Sequence, residues 1–163
     1  MNSVISYDPL PAGADGEGDE VSLTPMRDAR YDLAYARDAA GRGYAIGGLG
    51  NNNSVLASVE RYDPVANTWT TRADLPAGRY HFGAVFDGTN TIYTFGGLTH
   101  VATGTEAATV LSYNVSGNTW STAASMPVPT AGSAAIKGSD GRIYVIGGTV
   151  SGVVTNLVQV YAD

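Results

Sequence analysis

The chain contains no cysteine and only two histidines among its 163 residues. Without cysteine it cannot form a disulfide, use a thiolate nucleophile or bind zinc through sulfur. Two isolated histidines with no accompanying ligand pattern do not predict a metal site, and no cofactor is expected. A nucleophile elbow, a Gly-rich phosphate loop and an HExxH motif are also missing. The sequence therefore lacks the common signatures of a catalytic site.

Basic charge and long apolar runs are also scarce. Nine Lys and Arg residues stand against fifteen Asp and Glu residues, which gives a formal net charge of −6. An acidic chain lacks the basic surface that neutralises a phosphate backbone, so nucleic-acid binding is not expected. No run approaches the roughly 18 apolar residues of a membrane-spanning helix, so membrane insertion is not expected. The first residues do not have the pattern of a signal peptide, which favours a cytoplasmic location.

The chain instead contains a hydrophobic phrase that is repeated three times. The copies are "YAIGG", "YTFGG" and "YVIGG", and their glycine pairs begin at Gly47, Gly96 and Gly147, which are 49 and 51 residues apart. A second tyrosine-containing run follows each pair, and "NTW" follows the first two of these runs. Landmarks that keep their spacing over three copies indicate internal repeats.

Each repeat is predicted to form four short antiparallel strands. Runs of Val, Ile, Tyr and Thr suit pleated strands, and abundant glycine suits turns. Asp87-Gly88 and Asp140-Gly141 each separate two apolar runs, which predicts a hairpin at each site. Each glycine pair is expected where neighbouring sheets crowd together, because glycine admits close backbone approach and unusual φ. The repeated tyrosines and tryptophans are predicted to pack between the sheets.

With glycine pairs, Tyr-Asp-Pro and Asn-Thr-Trp at about 50-residue spacing, the chain resembles kelch-repeat proteins. The resemblance covers residues 26–163 and implies an all-β propeller segment of about three four-stranded blades. In that family the first strand of a blade lines the central channel and the fourth lies at its outer edge. The blades are expected at residues 26–71, 75–122 and 126–163, after a partial repeat at residues 1–25. The third blade is expected to lack its outer strand, because no "NTW" follows its tyrosine run.

About three blades do not close a propeller, and an open row would expose apolar sheet faces at its ends. The sequence leaves two solutions. Two copies could form a homodimeric ring of about six blades, in which residues 21–25 of one copy supply the missing outer strand of the other's third blade. Alternatively, the chain is part of a longer propeller, a solution that gives a place to the extra strand-like segment "VISYDP". Edge protection favours self-association.

The resemblance also implies where a partner would bind: on the loops between strands two and three and at the starts of the inner strands. The candidate binding residues there are Arg30, Tyr31, Asn51, Arg79, Tyr80, His81, Thr99 and Thr149. Arginine can hold a carboxylate with two hydrogen bonds, and tyrosine offers rigid contact area. As an alternative, the two arginines brace neighbouring blades, and His81 is a hydrogen-bonded structural residue near the channel mouth.

Together these observations predict a non-catalytic binding and assembly module, with a protein or a carbohydrate as its ligand. Galactose-oxidase-like kelch proteins need a cysteine-linked tyrosine, which this chain cannot supply. A resemblance to sialic-acid mutarotases leaves one alternative, a carbohydrate-active isomerase at the channel mouth, for which no catalytic residues can be named. The acidic segment with Asp15, Glu17, Asp19 and Glu20 lacks the spacing of a calcium loop and is expected to be solvated.

Overall fold

The computed structural model describes residues 4–7 and 20–162; Asp15, Glu17 and Asp19 of the acidic segment lie outside these ranges. Within them the chain consists of short antiparallel strands, and its one helical element is a 3-10 turn at Asn51–Asn53. No helix in the described part has the length and apolar character needed to cross a membrane. The prediction of an all-β fold is confirmed.

The strands form two four-stranded blades, one three-stranded sheet and two small hairpins. The first hairpin pairs β1 (Val4–Tyr7) with β2 (Glu20–Leu23). Blade 1 contains β3 (Ala34–Arg37), β4 (Gly43–Ile46), β5 (Val59–Asp63) and β6 (Thr68–Arg72). Blade 2 contains β7 (Gly83–Phe86), β8 (Thr91–Phe95), β9 (Val110–Asn114) and β10 (Thr119–Ala123). Blade 3 contains β11 (Ala134–Lys137), β12 (Ile143–Ile146) and, after a hairpin of β13 (Thr149–Val150) and β14 (Val153–Val154), β15 (Val158–Tyr161).

The hairpin β1–β2 has the register of the outer half of a blade. Its pairs run from Val4↔Leu23 to Tyr7↔Glu20, just as the β5–β6 pairs run from Val59↔Arg72 to Tyr62↔Trp69. The segment that follows β2 also contacts blade 1 in the same way as the segment that follows β6 contacts blade 2. The described chain therefore contains the outer half of one blade, two complete blades and the first three strands of another.

The blades pack face to face in chain order. We call the face that a blade turns to the next blade its forward face, and the opposite face its rear face. The forward face of blade 1 and the rear face of blade 2 form one buried cluster: Ala34, Ala36, Tyr44, Ile46 and Val59 with Phe82, Ile92, Leu111 and Tyr113. The forward face of blade 2 and the rear face of blade 3 form a second: Tyr93, Phe95 and Val110 with Ile143 and Val145. Burial of each large side chain stabilises the row by about 1.5–3 kcal/mol.

The repeated tyrosines pack between the blades. The rings of Tyr44 in blade 1 and Tyr113 in blade 2 meet edge to face, with centroids 5.9 Å apart. Both rings are fully buried. Burial raises the pKa of the Tyr113 hydroxyl above its ordinary value. Tyr44 and Tyr113 are therefore core residues of the blade row.

The glycine pairs lie where the backbone of one blade touches the next. All six glycines of the three pairs have positive φ. A Cβ on Gly47 would lie 2.4 Å from the carbonyl oxygen of Arg79, and one on Gly96 would lie 2.1 Å from that of Thr130. Any side chain at these positions would push the blades apart, so the repeated glycines permit the close stacking of the row.

Candidate binding surfaces

The candidate residues lie at one end of the blades, which we call the rim. Isolated bridges there join Tyr31 to Leu49, Tyr80 to Leu98 and Ala131 to Thr149, once in each blade. The rim consists of these three bridges and the loops that follow them. Six of the eight candidates belong to it directly: Tyr31, Asn51, Tyr80, His81, Thr99 and Thr149.

A chain of backbone hydrogen bonds links the blades beneath the rim. The His81 N–H donates to the Asp32 carbonyl at 2.9 Å, and the Gly132 N–H donates to the His81 carbonyl at 2.7 Å. The three residues have φ values of 51°, 57° and 66°. His81 is therefore held in a left-handed conformation by neighbours on both sides, and its exposed ring stacks on Tyr80.

Arg30 lies inside blade 1 and joins its strands. Its Nη1 donates to the Gly47 carbonyl at 2.9 Å and to the Ser58 carbonyl at 2.8 Å. Its Nη2 lies 2.6 Å from Oε1 of Glu60, and both side chains are almost completely buried. Glu60 also accepts the backbone N–H groups of Arg27 and Asp28. For Arg30, the structure favours the bracing alternative.

Arg79 has the same position in blade 2 but a different environment. Its Nη1 donates to the carbonyls of Gly96 at 2.9 Å and Thr109 at 3.2 Å. Leu111 stands where blade 1 has Glu60, and no carboxylate among the described residues forms an ion pair with Arg79. Burial accordingly lowers the pKa of the Arg79 guanidinium. Arg79 thus makes the same bracing hydrogen bonds to backbone carbonyls as Arg30, although blade 2 has no acidic residue at the Glu60 position.

Blade 3 replaces both partners with neutral residues. Thr130 stands at the arginine position and Gln159 at the Glu60 position, and both are buried. The Gln159 side chain accepts the Val128 N–H and donates to the Val128 carbonyl, each at 2.9 Å. This substitutes for the contact that Glu60 makes to the backbone in blade 1. The sequence analysis did not single out Glu60 and Gln159, whose shared signal is a polar residue directly after the valine that begins the third strand.

Two open clefts lie along the rim. The first, of about 340 Å³, is lined by residues 29–31 and 49–53, and the half-exposed Tyr31 hydroxyl donates to Asn53 across it. The second, of about 640 Å³, lies between the loops of blades 2 and 3 and includes Thr149 in its wall. The Gly152 N–H donates to Glu106 there at 2.7 Å and lowers the pKa of that carboxyl. Thr99 is half-buried near this cleft, with its hydroxyl 2.9 Å from His100.

The two ends of the blade row, which we call the flanks, expose faces that are buried elsewhere. On the forward face of blade 3, Ile136 is 57% exposed and Ile146 is 44% exposed, whereas the equivalent Ile46 of blade 1 is completely buried. Val158 and Val160 on the same face are also exposed. The rear face of blade 1 forms an open, largely apolar cleft of about 430 Å³ with Tyr35 in its wall.

The flanks also carry complementary backbone groups. At the junction of blades 1 and 2, the Gly48 N–H donates to Arg79, and the Arg79 N–H donates to Leu56. The junction of blades 2 and 3 repeats these bonds. On the forward flank, the groups equivalent to those of the junctions are the Gly148 N–H and the carbonyls of Thr155 and Gly132. On the rear flank, they are the Arg30 carbonyl and the N–H groups of Arg30 and Asp32. None of these six groups has a hydrogen-bond partner within the described residues.

The fold and these surfaces define a β-propeller segment built from repeated blades. Among the described residues, no group of three or more His, Cys, Asp and Glu side chains is placed to hold a metal ion. A model of the Kelch motif family matches residues 44–76 and 78–127. The chain belongs to the Kelch motif family.

Curated relatives agree with this assignment. The chain is 28% identical to Kelch-like protein 35 of Mus musculus over 91% of its own length and 23% of the relative. It is 34% identical to Kelch-like protein 38 of Homo sapiens over 59% of its length and 16% of the relative. It is 38% identical to beta-scruin of Limulus polyphemus over 49% of its length and 8% of the relative. The chain thus spans less than a quarter of each relative. These similarities support a protein-binding or assembly module.

Proposed function

We propose that the chain is a non-catalytic assembly module that associates with a second copy of itself through its two flanks. The exposed forward face of blade 3 carries this proposal. Ile136, Ile146 and Val158 stand at positions that blades 1 and 2 cover with the next blade, and the exposed Val160 lies beside them. An apolar sheet face of this kind is an association surface, because water solvates it poorly. The backbone groups beside it also have no hydrogen-bond partner among the described residues.

Side-chain size on the two flanks matches this head-to-tail contact. At the junction of blades 1 and 2, Ala36 lies in one cluster with Ile92. At the next junction, Val85 packs against the cluster that contains Ile143. A contact between the flanks of two copies would place Ile136 near Gly43, over which the ring of Tyr35 from the same blade lies, so Ile136 would pack against that ring. Apolar side chains that fill each other's space in this way are what close packing requires.

The hairpin β1–β2 sets a condition on a ring of two copies. β1 and β15 both have the position of a third strand, so only one of them can lie beside β12 of a given blade. β15 already pairs with β12, and we therefore expect β1 to give way. β2 of one copy would then lie beside β15 of the other as an outer strand. This is the arrangement expected for residues 21–25 from the sequence.

Solution mass tests the proposal. The wild-type chain should have about twice its 16.8 kDa mass by light scattering, and Ile136→Glu should shift it to the single-chain mass because it places a charge in the contact. Val65→Glu is the matched control, since Val65 is equally apolar and fully exposed but lies on the β5–β6 turn. A wild-type chain that stays monomeric up to high concentration, or an equal effect of both variants, would refute the flank contact.

The rim is the second surface that we propose for binding, with a protein as its ligand. Tyr31, Asn51 and His81 are exposed there, Thr149 lies in the wall of the second cleft, and Tyr80 and Thr99 are buried and half-buried beside them. Arg30 and Arg79 would act through the backbone that they hold, because their side chains are buried. A photo-crosslinking residue at position 31 should capture the ligand, and the same residue at position 65 should not. Equal labelling from both positions would count against the rim.

A further inference from the structure

We infer that Arg61 and Arg72 form a binding site for a phosphate group. Both arginines lie in the outer half of blade 1, on its forward face and beside blade 2. Blades 1 and 2 are both complete, so this place is distinct from the rim and from the two flanks. The inference therefore does not depend on the proposed function.

The strand register places the two arginines on one face of the sheet. Arg61 pairs with Tyr44, whose ring contacts Tyr113 of blade 2. Arg72 pairs with Val59, which belongs to the buried cluster between blades 1 and 2. Residues paired across antiparallel strands share a face, and diagonal neighbours such as Arg61 and Arg72 lie about 7–8 Å apart. Two long side chains at this spacing can reach one ligand.

Neither guanidinium group is neutralised by the described part of the chain. No acidic side chain there forms an ion pair with Arg61 or Arg72. The Nε atoms of both arginines are buried and have no hydrogen-bond acceptor among the same residues. Asp63, on the face of Arg61, accepts the N–H groups of Val65 and Ala66 instead. Buried donors without an acceptor are unfavourable, and a bound anion would supply the acceptors.

The positive charge extends to the junction with blade 2. Burial raises the pKa of the Tyr113 hydroxyl, and the charges of Arg72 and Arg42 oppose this rise. Arg42 forms an ion pair with Asp38 at 2.8 Å, so its charge is balanced. The charges of Arg61 and Arg72 are not balanced in this way. An anion beside them would therefore meet two free positive charges.

Blade 2 shows that the blade fold does not require arginine at these positions. Ser112 stands at the position of Arg61, and Ala123 stands at that of Arg72. The Ser112 hydroxyl donates to the carbonyl of Ser121 on the neighbouring strand. Neutral residues thus support the same four-stranded sheet, so the two arginines are available for a role other than folding.

A pair of guanidinium groups suits a phosphate better than a carboxylate. A carboxylate has two oxygens, which satisfy the two parallel N–H groups of one arginine. A phosphate ester has three acceptor oxygens and a charge of about −1.5 to −2 near pH 7, so it can join two arginines. Arginine stays charged at this pH, and its planar fork matches the spacing of phosphate oxygens. The two flexible side chains can turn their Nε and Nη groups towards such a ligand.

Nuclear magnetic resonance of the arginine Nε–H groups tests the inference. The full chain is titrated with inorganic phosphate at about pH 7.5, above the second phosphate pKa of about 6, while chloride keeps the ionic strength constant. We expect saturable shifts of the Arg61 and Arg72 signals and none of the Arg142 signal, since Arg142 is exposed and lies near Asp140. Acetate should bind at least about tenfold more weakly, because it serves only one arginine.

A second arm distinguishes the source of the phosphate group. O-phosphoserine should shift the same two signals if the site takes a phosphate ester, whereas inorganic phosphate alone should shift them if it takes the free ion. Either result supports the assignment to phosphate chemistry. No shift, equal shifts of all arginine signals, or equal binding of acetate and phosphate would overturn it.

Variants of the chain assign the binding to the two arginines. Arg61→Gln and Arg72→Gln should each weaken phosphate binding about tenfold or more, because charged hydrogen bonds are lost. Arg61→Lys and Arg72→Lys keep the charge without the fork and should have intermediate affinity. These lysine variants decide the matter if a glutamine variant loses the wild-type tryptophan fluorescence. Arg142→Gln is the matched control and should bind normally; an equal loss from it, or full binding by Arg61→Gln, would overturn the inference.

Discussion

The buried pair Arg30–Glu60 gives the sharpest test of how the blades are stabilised. We consider Glu60→Leu, which copies into blade 1 the residue that blade 2 has at the same position. The change removes the acceptor for Nη2 of Arg30, 2.6 Å away, and the acceptor for the Arg27 and Asp28 N–H groups at 2.8 and 3.2 Å. It leaves a guanidinium whose side chain is fully buried without its nearest carboxylate.

The size of the effect follows from these contacts. Breaking a buried ion pair by removal of one partner costs about 3–5 kcal/mol, because the remaining charge stays out of water. Asp28 lies 3.5 Å from Nη2 of Arg30 and is partly exposed, so it compensates for part of the loss. We therefore expect the free energy of unfolding to fall by about 3 kcal/mol, at the lower end of that range.

Urea denaturation followed by tryptophan fluorescence measures this loss. The double variant Arg30→Thr with Glu60→Gln copies the neutral pair of blade 3 and should be clearly more stable than Glu60→Leu, because no buried charge remains. Arg142→Gln is the control, since its ion pair with Asp140 is 3.9 Å long and exposed. The reasoning is refuted if Glu60→Leu and Arg142→Gln lose the same stability, or if the double variant is no better than Glu60→Leu.

Three further predictions concern single positions. Gly96→Ala should cost at least roughly 2 kcal/mol more than Gly147→Ala in urea denaturation. Both glycines have a φ of 67°, but the added Cβ would lie 2.1 Å from a carbonyl oxygen in the first case and 3.6 Å in the second. Trp120→Phe should lose about 1 kcal/mol in the same measurement, because the Nε1 donor to Ala73 is removed while the ring packing is kept. Burial raises the pKa of Asp38, but hydrogen bonds from Arg42 and Tyr44 outweigh it and hold that pKa below its ordinary value of 3.8. The stabilisation by the Asp38 carboxylate is therefore fully present above its ordinary pKa and is lost as the pH falls through the lowered pKa. The loss of stability that Asp38→Asn causes should therefore become smaller below about pH 4.

The blade architecture could be predicted because the determining residues are local. A strand of Val, Ile and Tyr, an Asp-Gly turn and a glycine pair each specify their backbone within a few residues. The order of the strands follows from short connections between them. The sequence also predicted that the tyrosine run of the third repeat would form a strand, and β15 (Val158–Tyr161) is that strand.

The environments of the two arginines could not be predicted from spacing alone. Arg30 and Arg79 look alike in sequence, and both were candidates for ligand contact as well as for bracing. Their difference depends on Glu60 and Leu111, which lie about 30 residues further along and reach the arginines only after the sheet has formed. A residue's burial is a property of the packed row, so short-range patterns do not determine it.

Comparison of the three blades shows which interactions the fold requires. At one position the chain has a charged pair, an unpaired cation and a neutral pair: Arg30 with Glu60, Arg79 with Leu111 and Thr130 with Gln159. In blades 1 and 2 the arginine bonds to the carbonyl that follows the second strand, Gly47 or Gly96. In blade 3 it is instead Gln159 that bonds to the backbone, at Val128, as Glu60 bonds to the Asp28 N–H in blade 1. Each blade thus has one polar side chain of this pair bonded to backbone groups, with or without a charge. The backbone groups of the flanks that have no partner among the described residues, together with the exposed apolar side chains of blade 3, therefore indicate where a further blade would join.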